Sequence, residues 1–163
     1  MELIKVRKIL DSEIINGYFN RVDVIVRYMY IEFFLGETHK VNAYELYKKM
    51  CIKRMGHTHA RNEDEVNAFV MRFNSLIESV YQNGFYKNSS IELSNDKTNK
   101  LVDGSHRLAI ALYMGLEDIP FTYRNSDWDA KYGFDWFMKN GFTELELEEI
   151  EDCYNRVMGR LYK

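Results

Sequence analysis

The spacing of apolar and polar residues predicts several helices and a few short strands. Residues 3–9 alternate like a short strand, and residues 23–35 are so densely apolar that they indicate an element buried on most sides. A helix is predicted over residues 62–82, with an N-cap asparagine and three acidic residues in its first turn. Thr143 and Glu146 have the spacing of a capping box that opens a final amphipathic helix.

The middle of the chain combines short strands with one tight turn. Three strands are predicted there, at residues 91–93, 101–102 and 119–123. The last of them is a candidate edge or terminal strand. The second strand runs through Asp-Gly-Ser at 103–105 into an apolar helix over residues 106–114, which a glycine and a following proline end. The pattern as a whole predicts a helix-rich α+β fold with one small sheet.

Composition indicates a folded single domain spanning residues 1–163. The chain has 163 residues, of which 46% are hydrophobic and 15% aromatic, which is enough to build a core and excludes a mainly disordered protein. Its 22 lysines and arginines against 25 acidic residues give a net charge of −3. This balance offers no general attraction to nucleic acid, so no nucleic-acid partner is expected.

The cysteines and the apolar segments favour a cytoplasmic protein. Cys51 and Cys153 match no metal-binding or redox spacing and are expected to be free thiols in a reducing compartment. The first ten residues alternate charged and apolar side chains, unlike a secretory signal. The most apolar stretch, residues 28–35, is too short to cross a bilayer, so no membrane partner is expected.

The strand–turn–helix segment LVDGSHRLAIALYMGLEDIP is the best candidate for chemistry. The first backbone N–H groups of its helix have no intrahelical partners and can bind an anion at the helix start. Gly104 permits an unusual backbone conformation and close approach of a phosphate. Ser105 can add a hydroxyl donor, and the guanidinium group of Arg107 can grip a phosphate through two nitrogens.

Two further residues of this turn could act on the phosphate. His106 can donate to an oxyanion or a leaving oxygen, and Asp103 could hold Mg²⁺ or accept a proton. The alternative is structural, since Asp-Gly is also an ordinary turn and Asp103 could simply cap the helix. The helix behind the turn is apolar almost throughout, so polar side chains at its start need partners, which favours the functional interpretation.

The order of elements over residues 61–123 resembles the ParB/sulfiredoxin-like fold superfamily. The resemblance is carried by SLIESVYQNGF, SIELS, KLVDGSHRLAIALYMGL and DIPF, which give helix, glycine, two strands, DGxHR, helix and strand. It implies a ParB/sulfiredoxin-like core with a small mixed sheet at about residues 61–123. Residues 1–60 and 124–163 would then be helix-rich elaborations of that core.

The form of the turn separates three activities known in this superfamily. Sulfiredoxins carry a reactive cysteine where this chain has Ser105, and ParB partition proteins carry two arginines where this chain has His106 and Arg107. The DGxHR form is nearest to that of the free serine kinases, which transfer a phosphoryl group from a nucleotide to a small-molecule hydroxyl. The resemblance therefore implies ATP or ADP, with CTP as a further possibility, and Mg²⁺.

The same kinases use an acidic residue near the start of the preceding helix as catalytic base. In this sequence that position falls in the cluster beginning at Glu63, with Glu65 the first choice and Asp64 the second. Arg61 resembles the arginine that precedes this helix in ParB-type domains and could clamp the phosphates. The structural alternative for the acidic cluster is an ordinary first turn of a helix.

Other polar and aromatic groups have weaker signals. Arg21, Asp23 and Arg27 indicate either a salt-bridge network or a substrate site, and the network is favoured. His57 and His59 have a metal-binding spacing without an evident third ligand, and could instead line the nucleotide site. A set of aromatic residues indicates core packing or a lid: Trp128, Tyr132, Trp136 and Phe137.

The leading hypothesis is a nucleotide-dependent kinase acting on a small hydroxyl compound. The acceptor would be an amino acid, a polyol or a sugar unit destined for a surface polysaccharide, and the added helices would shape its pocket. The alternative is a nucleotide-binding switch or regulatory module that transfers no phosphate. A third hypothesis, a nuclease activity of the kind ascribed to this superfamily, is disfavoured by the net charge.

Overall fold

The computed structural model describes residues 2–54, 62–87, 90–126 and 129–163, and has an α+β fold with a small mixed sheet. The helices are α1 Val6–Ser12, α2 Val22–Phe34, α3 Ala43–Lys53, α4 Glu63–Asn83, α5 Ser105–Met114, α6 Phe134–Lys139 and α7 Glu144–Leu161. The strands are β1 Leu3–Lys5, β2 Ile14–Ile15, β3 Tyr18–Phe19, β4 Ile91–Ser94, β5 Leu101–Asp103 and β6 Asp118–Arg124, with a 3₁₀ turn at Phe85–Lys87.

The main sheet has four strands in the order β1-β6-β4-β5. Strand β6 runs antiparallel to β1 and parallel to β4, and β5 closes the sheet antiparallel to β4. The edge alternative predicted for residues 119–123 is wrong for the first part of β6, because β1 pairs with residues 118–120 on the side that faces away from β4. The terminal alternative agrees with the structure, since β6 is the last strand along the chain that the structure describes. The strand predicted over residues 3–9 is also too long, since the chain turns into α1 at Val6.

Helix α2 forms the centre of the molecule. Its residues 22–32 are all buried, as the dense apolar pattern predicted. It packs against α5, α3 and α7, which together enclose it. Among the residues that the structure describes, no helix is both long and apolar enough to cross a membrane.

Side-chain caps set the starts of three helices. The side chain of Asn62 accepts a hydrogen bond from the Glu65 amide at 2.9 Å, which confirms the predicted N-cap of α4. Thr143 and Glu146 exchange both hydrogen bonds of a capping box at the start of α7, also as predicted. Asn42 caps α3 in the same way. These caps satisfy amides that otherwise lack intrahelical partners.

Candidate functional site

The turn between β5 and α5 depends on a glycine. Gly104 has φ +106°, a backbone conformation that other residues rarely adopt, as the sequence predicted. A Cβ atom there would lie 2.7 Å from Cγ2 of Ile91 on β4. The close neighbour of Gly104 in this structure is therefore the adjacent strand, and the missing side chain lets β5 lead directly into α5.

Donor groups are available at the start of α5. The first intrahelical hydrogen bond runs from the Leu108 amide to the Gly104 carbonyl at 2.8 Å, so the amides of the first three helical residues precede the helical ladder. The carboxylate of Asp103 is exposed, and its Oδ1 accepts a hydrogen bond from the Gly104 amide at 2.9 Å. Asp103 thus holds the turn and presents its negative charge to solvent.

His106 is packed between helices rather than projecting freely. Its Nε2 lies 2.6 Å from the hydroxyl of Tyr47 on α3, and the two groups share a hydrogen bond. The ring of Phe73 on α4 contacts the imidazole edge-on, with centroids 4.5 Å apart. Burial lowers the pKa of His106 well below its ordinary value, and the guanidinium groups of Arg27 and Arg54 lower it further. His106 is therefore neutral at pH 7.

A buried cluster of arginines surrounds Asp23, which is fully buried. Its carboxylate accepts hydrogen bonds from Arg21 at 3.0 Å through each oxygen, and from Arg27 at 2.9 Å. These contacts form the network predicted for the three residues. Arg54, at the end of α3, is a fourth member, with its NH1 atom 3.7 Å from Oδ2 of Asp23.

Positive charge is in excess in this cluster. Glu13 is a second buried carboxylate near Arg21, and its Oε1 accepts a hydrogen bond from the Leu101 amide at 3.0 Å. Burial raises the pKa of Glu13. Even with both carboxylates ionised, three buried arginines face only two negative charges among the described residues. Burial lowers the pKa of Arg27, and repulsion from Arg54 lowers it further, as the excess of positive charge requires.

Three arginine nitrogens near His106 have unused hydrogen-bonding capacity. The buried Nε atoms of Arg27, Arg54 and Arg107 have no hydrogen-bond partner in the part of the chain that the structure describes. The charges of the same three arginines all act on the imidazole of His106, the second residue of α5. The start of α5 therefore adjoins a buried, positively charged region with free donors, which is suited to an anion.

The predicted catalytic base lies at the start of α4, before the residue of that helix that contacts His106. Glu65 is half-buried in the first turn of α4, whereas Asp64 and Glu63 are exposed. Phe73, the α4 residue that contacts His106, lies eight positions after Glu65, about 12 Å farther along the helix. The phosphate clamp predicted at Arg61 lies outside the described residues.

The remaining candidates have mixed outcomes. His57, His59 and Trp128 lie outside the described residues. Within the described ranges, no group of three or more His, Cys, Asp or Glu side chains could hold a metal ion. The other aromatic candidates pack together as core, with Trp136 edge-on to both Tyr132 and Phe137 at 5.1 and 4.9 Å.

Sequence reasoning missed Arg54 and Tyr47 as parts of the site. Arg54 ends α3, where a basic residue has an ordinary role beside the helix dipole. Its guanidinium group lies 4.1 Å from the ring centroid of Tyr132, far away in the sequence. Tyr47 is buried on α3 together with apolar residues, and only the three-dimensional structure reveals its contact with His106.

No family model, curated protein or solved structure matches this chain.

Proposed function

We propose that the protein is a nucleotide-dependent phosphotransferase, with a ParB/sulfiredoxin-like core, that phosphorylates a hydroxyl group of a small molecule. The observation that carries this proposal is the excess of buried arginine charge beside the free amides of α5. Phosphate groups carry several negative charges and many acceptor oxygens, so they match both features. The DGxHR sequence at this turn supports the same assignment.

In the proposed reaction the hydroxyl oxygen of the acceptor attacks the terminal phosphorus of ATP or ADP. A new oxygen–phosphorus bond forms while the bond to the bridging oxygen breaks, so the nucleotide leaves with one phosphate fewer. The hydroxyl proton passes to a carboxylate, for which Glu65 remains the first choice and Asp64 the second. Charge builds up on the oxygens around phosphorus in the transition state, where positioned donors and cations stabilise it.

The turn residues have separate roles in this proposal. Gly104 would form the turn that brings the phosphates to the helix, and the amides of Ser105 and of the next two residues, together with the guanidinium group of Arg107, would hold them. Arg61 would clamp them from the segment before α4. Neutral His106 would donate through one ring nitrogen, while Tyr47 fixes the ring through Nε2.

Mg²⁺ is the metal that the proposal implies. Asp103 fits it, because its carboxylate is exposed at the start of α5 and only Oδ1 is engaged by the turn. Magnesium in phosphoryl-transfer sites is commonly held by one or two carboxylates together with the substrate phosphates, so a full protein cage is not required. When bound, the ion would neutralise charge on the transferred group.

A nucleotide-binding switch is the second candidate. The distance of about 12 Å along α4 between the acidic first turn and the His106 contact favours it, because a switch needs no base at the phosphate. The kinase and the switch would bind nucleotide at the same site, and they differ only in whether a phosphoryl group is transferred to an acceptor.

Nucleotide binding is the first test. ATP, ADP or CTP with Mg²⁺, at 100 times its dissociation constant, should stabilise the protein by about 2.7 kcal/mol, which thermal unfolding detects readily. Arg107→Ala should lose this stabilisation, whereas Arg72→Ala, which removes an exposed arginine of α4, should keep it. A wild-type protein that no nucleotide stabilises would exclude both candidates.

Transfer itself separates the kinase from the switch. With a panel of hydroxyl compounds, wild-type protein should convert the nucleotide to its lower phosphate and yield a phosphorylated acceptor. Asp103→Ala and Arg107→Ala should each abolish this transfer and leave the fold intact. Unchanged turnover in both variants would disprove the assignment, and binding without transfer would favour the switch.

A further inference from the structure

Arg27 and Arg54 have the properties of an anion-binding pair of their own. Arg27 belongs to α2 and Arg54 directly follows α3, whereas Arg107 and the free amides belong to α5. Only 4% of Arg27 and 7% of Arg54 is exposed, and each keeps a buried Nε atom without a partner among the described residues. A buried donor without a partner is costly, so its retention points to a ligand that completes the site.

Asp23 cannot neutralise both arginines. Each of its carboxylate oxygens already accepts a hydrogen bond from Arg21, and Oδ2 accepts a second from Arg27. Arg54 reaches the same oxygen only at 3.7 Å, beyond hydrogen-bond distance. Arg54 is thus the least well compensated arginine of the cluster, since this long ion pair and its stacking on the ring of Tyr132 are its contacts among the described residues, and it lies beside Arg27.

We infer that Arg27 and Arg54 form a second oxyanion subsite, which binds a carboxylate or phosphate group of the hydroxyl-bearing acceptor. The identification of the ligand as acceptor rests on the proposed function, whereas the subsite itself does not. A neutral polyol or sugar would leave the surplus charge in place. A hydroxy acid, an amino acid or a phosphorylated hydroxy compound would remove it, and these are the acceptor classes that the site selects.

Arg54→Met tests the subsite, because methionine fills similar space without charge. If Arg54 serves a ligand, the ligand-free variant should unfold close to the wild-type temperature, since relief of the surplus buried charge offsets the lost contacts with Asp23 and Tyr132. A purely structural arginine would instead lower the unfolding temperature when removed. The variant should also lose the response to anions described next.

Inorganic phosphate and acetate are the probes. The unfolding temperature is measured with each of them replacing chloride at constant ionic strength. A site filled at about ten times its dissociation constant should raise the wild-type unfolding temperature by about 3–6 °C for a protein of this size. Because inorganic phosphate also fits the proposed nucleotide site, the two anions are compared in Arg107→Gln, where a larger effect of phosphate than of acetate would identify a phosphorylated acceptor, and the reverse a carboxylate. In that background the rise should disappear when Arg54→Met or Arg54→Gln is added, and persist when the exposed-arginine control Arg72→Met is added.

Arg107→Gln tests whether the nucleotide site and the subsite are distinct. This variant should lose nucleotide binding and keep the rise in unfolding temperature that anions cause through Arg54. If nucleotide stabilises no form of the protein but the anion response depends on Arg54, the proposed function fails and the subsite stands. A wild type that neither anion stabilises, or an unchanged response in Arg54→Met, would overturn the subsite. Equal loss in Arg54→Met and Arg107→Gln would also overturn it, since the two would then be one site.

Discussion

Replacing Asp23 with asparagine should reduce the free energy of unfolding by about 3–5 kcal/mol, a large part of the stability of a domain of this size. Asparagine keeps the shape and one acceptor oxygen of the side chain but removes the negative charge. Arg21 and Arg27, both buried and hydrogen-bonded to this carboxylate, would then be left without their counter-ion. Urea unfolding at pH 7 measures the loss.

A matched control is available at the surface. Asp118 pairs with Lys5 at 3.5 Å, and both side chains are exposed. Exposed pairs contribute little because water and salt screen them, so Asp118→Asn should leave stability nearly unchanged. Equal, small effects in the two variants would contradict the assignment of Asp23 as the counter-ion of the buried arginines.

The Asp23 effect should also depend on pH. Burial alone would raise the pKa of Asp23, but Arg21 and Arg27 outweigh it and hold the pKa well below its ordinary value. The unfolded chain binds this proton at a pKa of about 3.9, so the stabilisation is complete above that value and declines as pH falls below it. The stability difference between wild type and Asp23→Asn should therefore be constant from pH 7 to about 5 and shrink towards pH 3.

Glu32 provides an internal check on this pH profile. Burial would raise its pKa, but hydrogen bonds from His39 and Arg156 lower the pKa to about 2. Glu32 therefore also contributes stability that is lost in acid, in wild type and variant alike. Because the two proteins share that contribution, only their difference reports on Asp23.

Local chemistry explains which elements could be predicted from the sequence. Asn62 before three acidic residues and the Thr143–Glu146 pair determine helix starts through contacts three residues apart. The density of apolar residues in α2 marked its burial without any knowledge of its neighbours. Each of these features is encoded within a few positions, so pattern reasoning finds it.

Contacts between distant segments explain what could not be predicted. Strand β1 pairs with β6 across more than a hundred residues, with Leu3 opposite Pro120, and no local pattern reports that partner. The surplus of positive charge at Arg54 likewise exists only because α3 ends beside α2. The glycine turn before α5 was therefore predictable, and the pairing of Arg27 with Arg54 was not.

Gly104→Ala should reduce the free energy of unfolding by roughly 2–4 kcal/mol, from backbone strain at positive φ together with steric overlap. The added Cβ would lie 2.7 Å from Cγ2 and 3.2 Å from Cα of Ile91, a backbone atom that cannot move aside alone. Relief requires β5 and the start of α5 to separate from β4. The variant should therefore also lose nucleotide stabilisation, because the donors at the start of α5 would be displaced.

Gly115 supplies the control for Gly104, because it ends the same helix at φ +70° with no atom within 4 Å of an added Cβ. Gly115→Ala thus carries the backbone strain alone, about 1–2 kcal/mol, and should keep nucleotide stabilisation. The two variants are compared by urea unfolding and by the nucleotide-induced shift in unfolding temperature. If both lose stability equally, contact with Ile91 does not limit the turn, and the need for glycine at 104 would be purely conformational.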